Sequence, residues 1–249
     1  HEEGLGRIEV ANRYMTGLTR RYLNEMREAL DDVLAAKQLA IEVGHRRSEM
    51  YSTNFTAEFL LDMGQVNEAL EASSRALELT FLTDNERFRA YVMNQQARAL
   101  MVSGDEEKAL HVLSEALTIS KKIGMGFVGP RLLGTLSLCS KKDETRDKAL
   151  TEGAEILKSG CHAHNQLWFL RDAIESTLNS DRKDSVRKYS NWLEKITAQE
   201  PLPWAQYFID RARAILCYRT SPNDPANKEE IARLIKLGDS VGFSATSMS

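Results

Sequence analysis

The chain has 249 residues and only three cysteines, which lie far apart in sequence, so we expect a buried core in a reducing cytoplasm rather than a disulfide framework. Its 33 Lys and Arg residues nearly balance its 36 Asp and Glu residues, and this balance excludes a protein whose main task is to grip nucleic acid. No apolar run approaches the roughly 18 residues of a membrane span, so no membrane partner is predicted.

The sequence repeats itself every 40 residues, with Ala-Leu pairs directly after Glu28, Glu68, Lys108 and Lys148. We call a set of residues at this spacing a column. A second column consists of Ala36, Ala76, Ala116, Ile156 and Ile196, and a third of Gly17, Ala57, Ala97, Ser137, Thr177 and Cys217. Because the side chains at a helix crossing set the distance between the helix axes, a column of small residues predicts helices that pack closely at one repeated position.

These columns predict an all-α fold made of helical hairpins. All five prolines lie at or beyond Pro130, and no run alternates as a strand would. The first helix of each hairpin is predicted around 7–23, 47–63, 87–103, 127–140, 167–180 and 204–219, with a second helix after each. Residues that tolerate a positive φ are predicted to form the turns, namely Asn24, Gly44, Gly64, Asp84, Gly104 and Gly124.

The segments Gly64–Leu70 and Gly104–Leu110, with the alanines that follow at 76 and 116, resemble the second half of a tetratricopeptide (TPR) repeat. Ala57 and Ala97 fall on the small position of that motif's first helix. The resemblance implies one TPR-like domain over 1–249, a right-handed superhelical solenoid of about six hairpins, with a period longer than the usual 34 residues. The predicted units are 5–44, 45–84, 85–124, 125–164, 165–202 and 203–243.

Four non-repeating stretches, Val43–Met50, Gly124–Pro130, Gly160–Phe169 and Glu200–Ala205, resemble the C-terminal repeat region of bacterial adenylate/guanylate cyclase-type signalling proteins. In that family a class III nucleotide cyclase domain and an ATPase domain precede the repeats. The resemblance implies a cytoplasmic, regulatory region that takes part in signal transduction. Since the chain begins at His1 without an initiator Met, we expect it to be a fragment of a larger protein.

Enzyme motifs are missing from the sequence. The phosphate-binding, hydrolase and zinc-protease patterns are absent, so no catalytic residue, cofactor or metal ligand is predicted. The one cluster of potential metal ligands is Cys161, His162 and His164. Its spacing suits a closed tetrahedral site poorly, so a loop between two helices is the favoured interpretation.

Three further columns predict a groove along the first helices of the hairpins. They place Arg, Tyr and Asn in register, and such side chains hold an extended segment through amide hydrogen bonds and guanidinium–carboxylate pairs. The candidate groove residues are Arg47, Tyr51, Asn54, Arg87, Tyr91, Asn94, Arg98, Arg131 and Arg171. The predicted partner is an acidic peptide, a protein surface, or another domain of the same chain.

Two alternatives stay open at this point. Each arginine is also compatible with an ordinary solvated ion pair to Glu49, Glu58 or Glu86, and the tyrosines with simple packing. A second function class is a small-molecule sensor, with a pocket near Arg131, Arg171 and Trp168. An open groove favours the first class and a closed pocket the second.

Overall fold

The chain folds as a series of helices joined by short turns. The computed structural model describes residues 2–243, with side chains from residue 6 onward, and within that range it contains helices and no strand, which confirms the all-α prediction. None of these helices is both long enough and apolar enough to cross a bilayer. The helices are α1 Glu2–Tyr22, α2 Met26–Glu42, α3 Arg46–Asp62, α4 Val66–Leu82, α5 Glu86–Val102, α6 Glu106–Ile123, α7 Gly129–Cys139, α8 Asp143–Ser159, α9 His164–Asn179, α10 Lys183–Thr197, α11 Pro203–Thr220 and α12 Pro225–Val241.

The predicted turn residues all adopt a positive φ. Asn24 and Asp84 do so without being glycine, at φ 64° and 48°. The residue after the turn residue donates its N–H to a carbonyl five positions back, as His45 does to Ala40 at 2.9 Å and as its equivalents do at 25, 65, 85 and 105. This hydrogen bond closes a Schellman motif, which ends one helix and starts the next after a fixed number of residues.

The described residues group into two compact units, which we call unit 1 (2–123 with 241–243) and unit 2 (124–240). In unit 1, consecutive helices pack against each other from α1 through to α6, and α3 also packs against α1 and α5. In unit 2, α9 packs against α7, α8, α10 and α11. Hairpins therefore pack on hairpins within each unit, while the grouping of all six into one domain stays a prediction.

The column of small residues lies at buried helix contacts in the first five hairpins, whereas Cys217 in the sixth is exposed on α11, so the packing prediction is wrong there. Ala57, Ala97, Ser137 and Thr177 are all at most 1% exposed. A Cβ added to Gly17 on α1 would lie 2.8 Å from the carbonyl oxygen of Ala29 and 2.9 Å from Cγ1 of Val33, both on α2. The backbone carbonyl of α2 cannot move aside without disturbing its own helix, so this crossing requires glycine.

We expect Gly17→Ala to destabilise the protein, although alanine is the better helix former. Overpacking a close helix contact costs about 1–3 kcal/mol, which exceeds the gain of up to about 1 kcal/mol from helix propensity. Thermal unfolding followed by circular dichroism measures the difference, with Thr16→Ala on the exposed side of the same helix as the control. A stabilised Gly17→Ala variant would contradict the close packing.

Candidate functional site

Two buried asparagines in unit 1 form no hydrogen bond through their side-chain amides. Asn54 on α3 and Asn94 on α5 are both 0% exposed. Neither the Oδ1 nor the Nδ2 atom of either side chain forms a hydrogen bond with any described residue. A buried polar group without a partner costs about 1–3 kcal/mol, so such groups are rare in folded proteins and call for an explanation.

The spacing of the two asparagines suits an extended chain. They lie one 40-residue repeat apart, on the adjacent helices α3 and α5. Axes of packed helices are about 8–10 Å apart, and an extended chain advances about 3.3 Å per residue. The spacing of packed helix axes thus corresponds to about three residues of an extended chain, and each amide offers one donor and one acceptor side.

Aromatic rings from α1, α3 and α5 cluster one turn before the asparagines. Tyr51 lies 4.6 Å from Phe88, between ring centroids, and Phe88 lies 5.0 Å from Tyr91. Tyr14 contacts Tyr51 at 6.2 Å, and burial together with that neighbour raises the pKa of Tyr14. Tyr14 and Tyr51 are half-buried, so the cluster combines a packed interior with part of two rings open to solvent.

One turn beyond the asparagines lies a buried charge network centred on Glu58, which is 2% exposed. Its carboxylate accepts hydrogen bonds from Arg21, from the Tyr91 hydroxyl at 3.3 Å and from the Gln95 amide at 3.0 Å. Arg21 also donates to Asp62. Burial opposes the charge on Arg21, but Asp62 and Glu58 outweigh it and raise the pKa of the guanidinium.

Positive charge gathers at the first turns of α3 and α5 and at Arg7 on α1. Arg47 and Arg87 are exposed there, as the columns predict. His45, directly before α3, has its pKa lowered by burial and by the charges of Arg7 and Arg47. Going along α3 and α5, exposed arginines are therefore followed by aromatic rings, then by the unbonded amides. We use the name amide face for this set of exposed and buried side chains, which consists of Arg47, Tyr51, Asn54, Arg87, Tyr91 and Asn94.

The fold of this chain is similar to that of a Rap protein. One matching structure is the crystal structure of a Rap protein complexed with competence and sporulation factor, with a TM-score of 0.75 and 16% sequence identity. It covers 95% of this chain and 65% of the Rap chain, so this chain spans about two thirds of the Rap length. No family model and no curated protein matches the chain. The likeness supports a TPR-like helical repeat and shows the fold alone.

In unit 2 the same columns place arginines in the interior. Arg131 on α7 and Arg171 on α9 are only 1% and 4% exposed. Their guanidinium carbons lie 4.1 Å and 4.3 Å from the ring centroid of Trp168, a cation–π distance for both. Trp204 packs against Trp168 at 5.3 Å. Trp168 and Trp204 belong to the core, since they are 3% and 0% exposed, whereas Trp192 is half-buried.

Two carboxylates accompany these arginines. Asp172, which is 0% exposed, accepts two hydrogen bonds from Arg171 at 2.8 and 2.5 Å and one from the Thr135 hydroxyl at 3.3 Å. Glu175 accepts two from Arg211 at 2.5 and 2.6 Å. Burial raises the pKa of Glu175 even against the opposing effect of Arg211, and it raises the pKa of the neighbouring Tyr207 to about 12.

The three glutamates named as alternative partners pair with other cations. Glu49 binds Arg75 at 2.9 Å, Glu86 binds Lys122 at 3.0 Å, and Glu58 binds Arg21. Arg98 is half-buried on α5, one turn beyond Asn94. The similarity to the Rap protein is one of fold and does not identify equivalent single residues. The assignment of the groove residues therefore stays a prediction.

The loop from α8 to α9 contains Cys161 and His162, and His164 is the first residue of α9. The His162 N–H donates to the Gly126 carbonyl at 3.1 Å, and its ring packs edge-on against Phe127 at 5.5 Å. Burial raises the pKa of the Cys161 thiol, which disfavours the thiolate that metals bind. Within residues 2–243, three or more metal-binding side chains do not come together at any point.

Proposed function

We propose that this chain is a non-catalytic regulatory module that binds an extended peptide segment of a protein partner on the amide face. The observation that carries the proposal is the pair of buried, unbonded amides of Asn54 and Asn94. An extended segment offers a backbone N–H and C=O to each amide. Binding then supplies the hydrogen bonds that the free protein lacks.

The surroundings of the two amides suit such a segment. Hydrogen bonds from asparagine to peptide groups do not depend on the sequence of the peptide. Selectivity among peptides must therefore come from the side chains of this protein that flank the two asparagines. The exposed parts of Tyr14 and Tyr51 favour an apolar or aromatic side chain. Arg47 and Arg87 at the first turns favour acidic residues, through charge-assisted hydrogen bonds.

The sequence resemblance supplies the regulatory part of the proposal. In a cyclase-type signalling protein, the repeats share a chain with nucleotide cyclase and ATPase domains. We infer that occupancy of the amide face is passed on to such domains, or that one of their own segments occupies it. The partner of the amide face is then a protein or peptide, and the module itself needs no cofactor.

The proposal is tested by selecting random linear peptides on the wild-type protein and measuring their dissociation constants on variants. Asn54→Leu/Asn94→Leu replaces both buried amides by apolar side chains of similar shape. We expect a loss of at least about tenfold in affinity, because each lost hydrogen bond to a peptide group contributes about 1 kcal/mol. Fluorescence anisotropy of the selected peptides measures the change.

The control is Asn12→Leu/Asn67→Leu, which makes the same chemical change at two exposed positions of unit 1. Its affinity should match that of the wild type, and circular dichroism confirms that both double variants are folded. Failure to enrich any peptide over a blank surface, or equal affinity of the two double variants, would refute binding through the amide face.

A further inference from the structure

A cavity of about 410 Å³ lies in unit 1 among α4, α5 and α6. All three helices contribute aliphatic side chains to its wall, namely Leu77 from α4, Met93 from α5 and Ile119 from α6. None of these side chains belongs to the amide face. Pockets that bind small molecules have volumes of roughly 300–1,000 Å³, so this cavity is large enough for a small organic ligand.

The open edge of the cavity is formed by Phe81 on α4, which lines the cavity and is nevertheless 60% exposed. The guanidinium group of Arg89 lies on this ring, with its carbon 3.9 Å from the ring centroid. A cation–π contact of this kind holds a long side chain that would otherwise move freely in water. Arg89 is thereby positioned at the cavity, whose wall it also forms.

Most of the hydrogen-bonding capacity of Arg89 is unused. Its Nε–H donates to the Thr80 hydroxyl in a long hydrogen bond of 3.4 Å, and its two Nη groups donate to no described residue. Arg89 is half-buried, and within the described part of the chain it forms no ion pair. A guanidinium presents its donors in a fixed planar fork that suits the two oxygens of a carboxylate. Arg89 can therefore bind a carboxylate inside the cavity.

The cavity wall contains one further charged residue, Glu115 on α6. Its side chain is 58% exposed and lies 3.8 Å from Nδ1 of His111. The charge of an exposed carboxylate is largely screened by water and salt. The half-buried guanidinium of Arg89 therefore determines which sign of charge the cavity favours in a ligand.

The cavity thus combines aliphatic walls with one positioned cation. We propose that it binds an aliphatic monocarboxylic acid, with the carboxylate on Arg89 and the hydrocarbon chain against Leu77, Met93 and Ile119. This site goes beyond peptide binding on the amide face, and it uses different side chains. Success or failure of one proposal therefore does not decide the other.

The test is isothermal titration calorimetry with octanoate, octanamide and octylamine, which share a hydrocarbon chain and differ in charge. We expect octanoate to bind saturably, and the neutral amide and the cationic amine to bind about tenfold more weakly or not at all. Calorimetry is chosen because the three tryptophans, Trp168, Trp192 and Trp204, all lie in unit 2, so their fluorescence does not report on this cavity.

Two substitutions separate the contribution of the charge from that of the cavity. Arg89→Gln should weaken octanoate binding about tenfold and leave octanamide binding unchanged, because only the charged contact is lost. Ile119→Trp should weaken both ligands, because the larger side chain fills part of the cavity. The control is Arg75→Gln on α4, since Arg75 is exposed, lies outside the cavity wall and pairs with Glu49 at 2.9 Å. Circular dichroism confirms that all three variants are folded.

A further probe identifies the source of the carboxylate. The peptide Gly-Gly-Leu presents a carboxylate beside an aliphatic side chain, as octanoate does, but at the end of a peptide. Tighter binding of octanoate supports a free aliphatic acid, whereas equal or tighter binding of the peptide would overturn that assignment. Three other results would overturn the site itself: no saturable heat with octanoate, octanamide or octylamine binding as tightly as octanoate, or unchanged octanoate affinity in Arg89→Gln.

Discussion

Replacing Arg21 by methionine should lower the free energy of unfolding by about 3–5 kcal/mol, because it leaves the buried Glu58 carboxylate without its cation. Glu58 would keep its hydrogen bonds from Tyr91 and Gln95, but neither of these neutral donors balances a full charge. Asp62, the second partner of Arg21, has a side chain that is 13% exposed and can turn toward water. The loss of stability should therefore come mainly from the unbalanced charge of the Glu58 carboxylate.

The second substitution Glu58→Gln should restore most of that loss in the double variant Arg21→Met/Glu58→Gln. The glutamine oxygen still accepts from Tyr91 and Gln95, and no buried charge remains to be balanced. Urea unfolding followed by circular dichroism measures all three proteins. The control is Arg13→Met on the same helix, which breaks an exposed pair with Glu9 and should change stability by less than about 0.5 kcal/mol.

A double variant as unstable as Arg21→Met alone would show that lost packing, rather than an unbalanced charge, explains the effect. An Arg21→Met variant as stable as Arg13→Met would show that the network contributes nothing. The restoration distinguishes the two causes because Glu58→Gln changes charge without changing shape.

The helices and their turns follow directly from the sequence because local chemistry controls them. Asn24, Gly44 and Asp84 are among the residues that most readily adopt a positive φ, and their regular spacing sets where each helix ends. Apart from the start of α1, which lies at Glu2 and not at 7, the boundaries of the predicted first helices agree within about three residues, as with 167–180 against the observed His164–Asn179.

Charge networks could not be predicted in the same way, because they join residues from different repeats. Arg21 and Glu58 are 37 positions apart and meet only when α1 packs against α3. One signal was nevertheless present. The column of Glu58 contains leucine in three of the other five repeats, at Leu18, Leu138 and Leu178, and Arg98 and Tyr218 in the remaining two. A charge in a mostly apolar column indicates a buried partner.

The candidate site, too, could be predicted only in part from the sequence. Columns alone placed Asn54 beside Asn94 and Arg131 beside Arg171. Whether such residues face solvent or the interior depends on how far neighbouring helices cover them. The spacing of residues in a column carries no information about this. The arginines expected to line an open groove are exposed at 47 and 87 but buried at 131 and 171.

Replacing both buried asparagines by leucine should raise the stability of the free protein, even as it weakens peptide binding by at least about tenfold. Each side chain now buries an amide that bonds to no described residue, at a cost of about 1–3 kcal/mol. Leucine has a similar branched shape and no polar atom to desolvate. We expect the free energy of unfolding of Asn54→Leu/Asn94→Leu to rise by about 2 kcal/mol or more.

The same substitution at Asn165 should have the opposite sign. Asn165 is equally buried, but its Nδ2 donates to the carbonyls of Gly126 and Phe127 at 3.2 and 2.9 Å. Asn165→Leu therefore removes both of these buried hydrogen bonds and should cost about 1–3 kcal/mol. Urea unfolding of the two variants compares them directly. A loss of stability in both would mean that Asn54 and Asn94 are needed by the fold, whereas opposite signs would mean that unit 1 keeps two costly amides for a ligand.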